Sequence, residues 1–446
     1  MKRIFKIIFS VLLAGSTIFL LAGCDTAVTE SEPSGEQPVV SIAESTADKP
    51  AVPQIDTAEK EKIRYGINRF TAELFKSEYG KRDNESDNVF LSPLSVYTAL
   101  SVLDNGAAGD TQSELNALLG GIYPDGKSSG NAVETDTLNK YFKEYMSGLG
   151  GDSTKFNMAN SVWVMKRDDI KINDVFKNNV SEFYSADIFN ENADKAVGSI
   201  NKWVRAKTDK MIDGILNNGD ITPDTVAVLL NAVAFDGQWE KEYDENSVLD
   251  DVFHNYDGSA SSTDFMYSTE KYYFSDDNAK GFIKDYKSDN DKKYSFIAVL
   301  PNEDVGIDKY ITEYFDEDTI CDYAENAISV DVHTSLPKFS FDTYYRLNET
   351  LSNMGMNTAF DAGTADFTNL AESDSKIFVG KVIHKAFVDV NEKGTKAAAA
   401  TAITMFDEVE IGNEEVYEVY LDRPFLFAIY DSTENVPVFI GTVNSL

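Results

Sequence analysis

A run of small residues near the C-terminus places the strongest constraint on how this chain can fold. Residues 392–401 read EKGTKAAAAT, in which charged residues and one glycine precede four alanines. Alanine side chains are small enough for the pleat of a sheet, and every residue keeps the backbone N–H that a ladder of hydrogen bonds needs. The run can therefore lie in solvent as a loop or slide between two existing strands. An alanine-rich helix is the alternative, because alanine is the best helix former.

Length and charge limit the class of protein. The chain has 446 residues, enough for one large domain or for two to three small ones, and 42% of them are hydrophobic. Its formal net charge of −35 argues against nucleic acid as a partner, since nucleic-acid binding needs a basic surface. The charge instead suits a soluble surface that resists self-association.

The N-terminus has the pattern of an export signal. A positively charged start and an apolar run lead to Leu21-Ala22-Gly23-Cys24. This end resembles the lipobox of bacterial lipoproteins, which implies lipidation of Cys24 and a membrane-anchored protein on the cell surface; an ordinary signal peptide is the alternative. Residues 1–23 are then the signal peptide, 24–55 a disordered tether rich in Ser, Thr, Glu, Ala and Pro, and 56–446 the folded domain.

Lipidation of Cys24 would leave Cys321 as the one remaining thiol in the sequence. A single thiol cannot form an internal disulfide, so we expect an exported fold that is stable without one.

Apolar spacing along the domain predicts helices and strands in an irregular order. Helices are expected over residues 57–79, from Pro93 toward Gly106, as a pair over 194–217 and over 347–354. The capping-box spacing of Thr111 and Glu114 predicts a further helix. Strands are expected over residues 157–165, 226–235, 294–300, 328–332, 382–390, 424–430 and 436–443; the near-continuous apolar run 226–235 is typical of a strand buried on both faces.

Several separated motifs together resemble the serpin family of protease inhibitors. They are Asn88–Ser95, Leu230–Tyr243 and the strand Val382–Val390 that leads into the run at 392–401. They occur in the family's order, and the resemblance covers residues 57–446. It implies an α+β serpin fold, in which helices pack around three β-sheets and a mobile reactive-centre loop is exposed. It also implies a monomer that is not an enzyme and has no cofactor.

Four polar residues lie in segments that are otherwise apolar. Because buried polar groups need partners, we expect Ser92, Ser95, Asn231 and His384 to share one hydrogen-bond network. The resemblance implies that they form the family's "shutter" beneath the central sheet, where strands part to admit the loop; four unrelated core or capping residues are the alternative. Trp239 matches the "breach", where the loop first enters, and can also be a core tryptophan.

The resemblance implies a suicide-substrate mechanism. A serine or cysteine protease attacks the loop to form an acyl-enzyme, the hinge inserts into the central sheet as a new strand, and the protease is dragged across the inhibitor and distorted. A proline or charged run in the alanine stretch would impede this insertion, and none is present. The hinge residues are Glu392, Gly394, Thr395, Ala397, Ala398, Ala399 and Ala400.

The position of the scissile bond follows from the family's spacing. Counting from Gly394 places the bond between Glu408 and Val409. The loop beyond it is longer than is common in the family, so Met405 and Phe406 are further candidates.

These candidates predict different target proteases. Glu408 suits a protease that cleaves after acidic residues, Val409 or Met405 an elastase-like enzyme, and Phe406 a chymotrypsin-like enzyme. Residues 397–422 contain neither arginine nor lysine, which disfavours trypsin-like targets. The alternative interpretation is that the acidic residues of this loop are only solvated and do not reflect a target protease.

Enzymatic motifs in the sequence lack their structural context. Residues 126–130 satisfy the G-x-S-x-G string of hydrolases, and residues 121–128 satisfy the phosphate-loop string. Both strings need a preceding strand and a following helix, whereas a helical segment precedes here, and a surface loop is expected instead. The three histidines show no metal-ligand spacing, so no metal site is expected. A non-inhibitory serpin acting as a binding or carrier module, and a surface-anchored hydrolase, are the alternative functions.

Overall fold

The α-helices include four that apolar spacing does not predict, over residues 135–147, 174–184, 306–309 and 319–326. The computed structural model describes residues 55–126, 130–149, 151–221, 225–288, 290–395 and 416–446. The α-helices in these ranges are α1 (Thr57–Gly80), α2 (Pro93–Asp104), α3 (Gly109–Leu119), α4 (Thr135–Ser147), α5 (Asp174–Tyr184), α6 (Ala193–Lys207), α7 (Gly306–Lys309), α8 (Thr319–Asn326) and α9 (Asn348–Asn353). None of them is long and apolar enough to cross a membrane.

The strands of the described ranges form three sheets. The strands are β1 (Val89–Leu91), β2 (Thr154–Met165), β3 (Lys171–Ile172), β4 (Asp187–Glu191), β5 (Ala227–Gln238), β6 (Val248–His254), β7 (Ala260–Ser275), β8 (Ala279–Asp285), β9 (Tyr294–Pro301), β10 (Ile328–Pro337), β11 (Phe339–Arg346), β12 (Ala371–Glu372), β13 (Val379–Asn391), β14 (Gly394–Thr395), β15 (Tyr417–Tyr420), β16 (Phe425–Asp431) and β17 (Val436–Val443).

The largest sheet has nine strands in the order β1-β17-β16-β9-β8-β7-β10-β15, with β6 paired to β7. A six-stranded sheet has the order β11-β13-β14-β5-β2-β4 and is called the central sheet below. Strands β12 and β3 form a two-stranded ribbon. The predicted combination of helices and three sheets is confirmed.

Strand β5 is buried on both faces, as its apolar run predicts. Side chains alternate between the faces of a strand. Val228 and Leu230 therefore enter a hydrophobic cluster beneath α6, whereas Leu229 and Val233 enter the main core on the opposite face. The same alternation turns the Asn231 side chain toward the main core and α2. Its hydrogen-bond partners must therefore lie on that face of the strand.

Helices α1 and α2 begin as the sequence indicates. At the start of α1, the Asp56 side chain accepts a hydrogen bond from the Glu59 amide. Pro93 is the first residue of α2, where a backbone N–H would have no acceptor within the helix, so the missing N–H of proline loses no hydrogen bond. The capping-box prediction for α3 is wrong, because the helix already begins at Gly109 and Thr111 lies inside it. Thr111 instead accepts a hydrogen bond from the Asp366 amide.

Of the two helices predicted over residues 194–217, the first is confirmed and the second is wrong. Helix α6 ends at Lys207, and turns rather than a second helix follow it. Asp209 and Lys210 adopt φ values of 48° and 66°, the left-handed region that a right-handed helix cannot include. The apolar residues Ile212 and Ile215 are nevertheless buried, in the cluster beneath α6, so the pattern identified their burial but not their conformation.

Aromatic rings join the nine-stranded sheet to the central sheet. Phe439 of β17 stacks on Phe90 of β1 at 5.1 Å between ring centroids. It also meets Phe156 of β2 and Phe235 of β5 edge-on, at 5.8 and 6.1 Å. Because the sheets contact through these rings, Phe439 is a central member of the core.

We expect Phe439→Ala to lower the midpoint of urea-induced unfolding strongly, because truncating a buried phenylalanine costs about 3–5 kcal/mol. Val252→Ala is the matched control, since Val252 on β6 is 43% exposed and its truncation removes little burial. Equal midpoints for the two variants would contradict this account of the core.

Candidate functional site

The first residues of the predicted hinge occupy a gap in the central sheet. Strands β5 and β13 pair in parallel from Val379–Ala227 up to Lys385–Ala232. Beyond this level β14 lies between them and is antiparallel to both, with Thr395 paired to Gly237 on one side and to Val390 on the other. Gly394 and Thr395, predicted as hinge residues, are thus already inside the sheet.

The side chain of Thr395 is held by an aromatic pair. Thr395 is 2% exposed, and its hydroxyl lies 2.6 Å from the hydroxyl of Tyr286. Tyr286 stacks on Trp239 with ring centroids 4.5 Å apart. Burial raises the pKa of Tyr286, so its hydroxyl keeps the proton and can donate to Thr395.

Trp239 fixes the turn between β13 and β14. Its ring Nε1–H donates to the Asn391 carbonyl at 2.9 Å, and its backbone N–H donates to the Lys393 carbonyl at 2.9 Å. The residue is fully buried. It is therefore both a core tryptophan and a direct contact of the hinge turn.

Two ion pairs flank this turn. Glu392 lies 3.0 Å from Lys338 at the junction of β10 and β11. Although burial works against its charge, the contact with Lys338 holds the pKa of Glu392 below its usual value. Behind Trp239, Lys284 is buried 2.7 Å from Glu270, and its Nζ lies 5.6 Å from the centre of the Trp239 ring.

The four predicted shutter residues lie in one hydrogen-bond network. The Ser92 amide donates to His384 Nε2 at 3.0 Å, and His384 Nδ1 lies 2.8 Å from Asn231 Oδ1. Asn231 Nδ2 donates to the Ser95 carbonyl at 2.9 Å and also contacts the Ser95 hydroxyl. The same amide donates to Asn160 Oδ1 at 2.7 Å.

This network crosses the seam between two strands. His384 and Asn231 are direct partners in the parallel β13–β5 ladder. Burial lowers the pKa of His384 to about 3, so the imidazole is neutral. With Nε2 accepting from Ser92, Nδ1 carries the proton and donates to Asn231, which leaves no free nitrogen for a catalytic base.

The remaining predicted site residues lie outside the described part of the chain. They are Cys24, Ala397, Ala398, Ala399, Ala400, Met405, Phe406, Glu408 and Val409. The reactive-centre loop and the lipidation site therefore stay predictions.

Sequence reasoning missed three contributors to the site. Asn160 could have been found, because it is a polar residue in a strand predicted to be buried, the same signal that identified Asn231. Tyr286 and Lys338 carry no such signal. They reach the hinge only because the sheets bring distant strands together.

The enzymatic strings gain no support from their surroundings. Helix α3 ends at Leu119, so a helix rather than a strand precedes both strings, while Ser128 and Ser129 lie outside the described ranges. Within the described residues, no group of three or more His, Cys, Asp or Glu side chains could hold a metal ion.

Comparison with known proteins gives the family. The profile of serpins, described as serine protease inhibitors, matches residues 65–446. The chain therefore belongs to the serpin family, whose members act in general as inhibitors of proteases rather than as catalysts.

Relatives and solved structures agree with this assignment. An uncharacterized serpin-like protein of Methanosarcina acetivorans is 32% identical over 403 residues, which cover 87% of this chain and 88% of the relative. A leukocyte elastase inhibitor of Xenopus laevis is 30% identical and covers 86% and 100%. The native-state structure of the thermophilic serpin tengpin is 37% identical, with a TM-score of 0.79 and coverage of 90% and 97%.

We expect His384 to make the fold sensitive to acid. The histidine is neutral when folded but takes up a proton near its ordinary pKa of about 6.5 when unfolded. The contribution of neutral His384 to the free energy of unfolding is complete above about pH 6.5. It is lost as the pH falls toward about 3, at up to about 1.4 kcal/mol per pH unit.

The measurement compares the unfolding midpoints of the wild type and His384→Gln at about pH 7 and about pH 5. The advantage of the wild type should shrink at the lower pH. His333→Gln on the exposed face of β10 controls for loss of a histidine. An advantage of equal size at both pH values would show that His384 is not the group responsible.

We expect Gly394→Ala to expel the hinge from the sheet. A Cβ at position 394 would lie 2.0 Å from the Gly237 carbonyl oxygen, a backbone atom that cannot move aside. Hydrogen–deuterium exchange at residues 386–395 should therefore increase. Gly198→Ala in α6 is the control, because its Cβ would meet nothing within 4 Å. Unchanged exchange in Gly394→Ala would contradict the position of β14.

Proposed function

We propose that the protein is an irreversible suicide-substrate inhibitor of serine proteases, with cysteine proteases as a second target class. The observation that carries this proposal is the position of β14, which lies between β5 and β13 and is followed in the sequence by Lys396 and the alanine run. A protease that cleaves the loop releases this run from its far attachment. The run can then extend β14 along the gap.

The pairing pattern supports extension of β14. Below the hinge, β5 and β13 are held together by a parallel ladder, and parallel pairing is slightly less stable per residue than antiparallel pairing. An inserted strand that keeps the direction of β14 would be antiparallel to both neighbours. Insertion therefore replaces one parallel ladder by two antiparallel ones, which favours the inserted state.

The target class is proposed from the loop sequence. Glu408–Val409 is the first candidate for the scissile bond, with Met405 and Phe406 as the others. Glu408 suits a protease that cleaves after acidic residues, Val409 or Met405 an elastase-like enzyme, and Phe406 a chymotrypsin-like enzyme. The first two classes are the proposed targets, and a relative carries the name leukocyte elastase inhibitor. The inhibitor is proposed to act as a monomer without cofactor or nucleic acid.

The N-terminal sequence supports a proposal for location. The signal at residues 1–23 and lipidation of Cys24 would place the inhibitor outside the cell, attached to the membrane through the tether at residues 24–55. Such an anchor would hold it where extracellular proteases reach the cell surface.

The test of function is a covalent complex. We expect an elastase-like or a Glu-specific protease to form a complex that survives denaturing electrophoresis, with release of the C-terminal peptide. Mass spectrometry of that peptide identifies the bond cleaved. Cleavage between residues 403 and 411 without any covalent complex would refute inhibition and favour a binding or carrier module, whereas catalytic turnover that survives hinge substitution would indicate a hydrolase.

We expect Thr395→Arg to turn the inhibitor into a substrate. Thr395 is 2% exposed within the sheet, and burying an unpaired guanidinium there is strongly unfavourable. The variant should be cleaved at the same bond but form no complex. Val416→Arg, at a position 65% exposed just beyond the loop, is the control and should still trap the protease. Complex formation by Thr395→Arg would rule out insertion as the trapping step.

A further inference from the structure

A buried carboxylate reaches across the seam between β5 and β13 at the end remote from the hinge. Asp220 lies in residues 208–221, called the covering segment because it lies over the seam. Its Oδ1 accepts hydrogen bonds from Arg346 Nη2 at 2.7 Å and from Lys381 Nζ at 3.1 Å. Arg346 ends β11 and Lys381 belongs to β13, so both cations lie on one side of the seam.

The covering segment is attached to the opposite side of the seam from Arg346 and Lys381. The Asn201 side chain of α6 accepts from the amides of Ile215 and Leu216 at 2.8 and 3.0 Å and donates to the Leu216 carbonyl at 2.8 Å. Helix α6 is itself attached to β4, because Trp203 Nε1 donates to Asp187 at 2.7 Å. The segment and α6 are thus attached as one unit to the β2–β4 side of the sheet.

The surroundings of Asp220 favour the ionised form of its carboxyl group. Asp220 is 7% exposed, and its second oxygen accepts from the Asn217 amide at 2.7 Å. Burial works against ionisation, but the Asn217 amide and the two cations keep the pKa of Asp220 below its usual value. A charged group that is removed from solvent and accepts several hydrogen bonds contributes more to stability than an exposed ion pair on the surface does.

A strand that enters between β5 and β13 must widen this seam. Adjacent strands lie about 4.8 Å apart, so insertion moves β13 and β11 away from β5 by about that distance. Lys381 is the ladder partner of Val228, at the level that the end of an inserted strand would reach. The contacts of Asp220 cannot survive this movement unless the covering segment leaves its own anchors.

We propose that Asp220 restrains the opening of the central sheet and so helps to set the rate of loop insertion. It acts as a positioning residue, since it holds β11 and β13 against the covering segment without touching the inserting strand. Lys385, whose Nζ lies 3.4 Å from the Gly214 carbonyl, makes a weaker contact along the same path. The inference rests on the proposed insertion of the reactive loop.

The restraint can be measured without a protease. A synthetic peptide with the sequence of residues 395–406 serves as the inserting strand, and its uptake by the full chain is followed on native gels. We expect Asp220→Asn to accelerate uptake about threefold to tenfold, the change expected for loss of a partly buried ion pair. Asp213→Asn is the control, because Asp213 pairs with Arg205 of α6 on the same side of the seam and should not affect uptake.

A second pair of variants separates restraint from general damage to the fold. Arg346→Gln and Lys381→Gln should each accelerate uptake in the wild-type background but have little effect when combined with Asp220→Asn, since contacting residues are not additive. Because the Arg346 side chain is 58% exposed, its variant also serves if Asp220→Asn does not fold.

Three results would overturn the inference. They are uptake by Asp220→Asn at the rate of Asp213→Asn, full additivity of the variants, and no peptide uptake by any variant. The outcome is independent of the protease test, because uptake requires no acyl-enzyme. Accelerated uptake together with the absence of any covalent complex would refute the inhibitory function while the restraint stands.

Discussion

The parallel seam between β5 and β13 is the constraint on which the rest of the structure depends. The His384–Asn231 hydrogen bond lies on the seam's main-core face, and the Asp220 contacts lie on the opposite face. Strand β14 occupies the gap at one end. The seam therefore joins the two halves of the central sheet through contacts that must all change if a strand is to enter.

The two faces of the seam are built from different chemistry. On the main-core face, a neutral imidazole and two asparagines form hydrogen bonds without charge, which suits a site sealed beneath the fully buried helix α2. On the opposite face, Asp220, Lys381 and Arg346 make charged contacts at the margin of the cluster under α6. Uncharged hydrogen bonds can be re-formed with new partners inside the core, whereas the charged contacts can be released to water.

Much of the fold could be predicted because the sequence patterns are local. The apolar run of β5 and the proline at the start of α2 depend on neighbouring residues and predicted their elements correctly. The helix expected after α6 failed because Asp209 and Lys210 take left-handed backbone conformations that apolar spacing does not reveal. The capping box of α3 failed because Thr111 bonds to Asp366, far away in sequence.

The sequence by itself determined that a small, uncharged stretch follows a buried strand and that a few polar residues must be partnered in the core. It also determined the family, because these motifs occur in a set order. Only the tertiary structure decided that the Thr395 hydroxyl meets the Tyr286 hydroxyl, that Lys338 pairs with Glu392, and that Asp220 bridges the seam. These contacts join residues from separate strands and segments, and no local pattern records which of them the packing of sheets and helices will bring together.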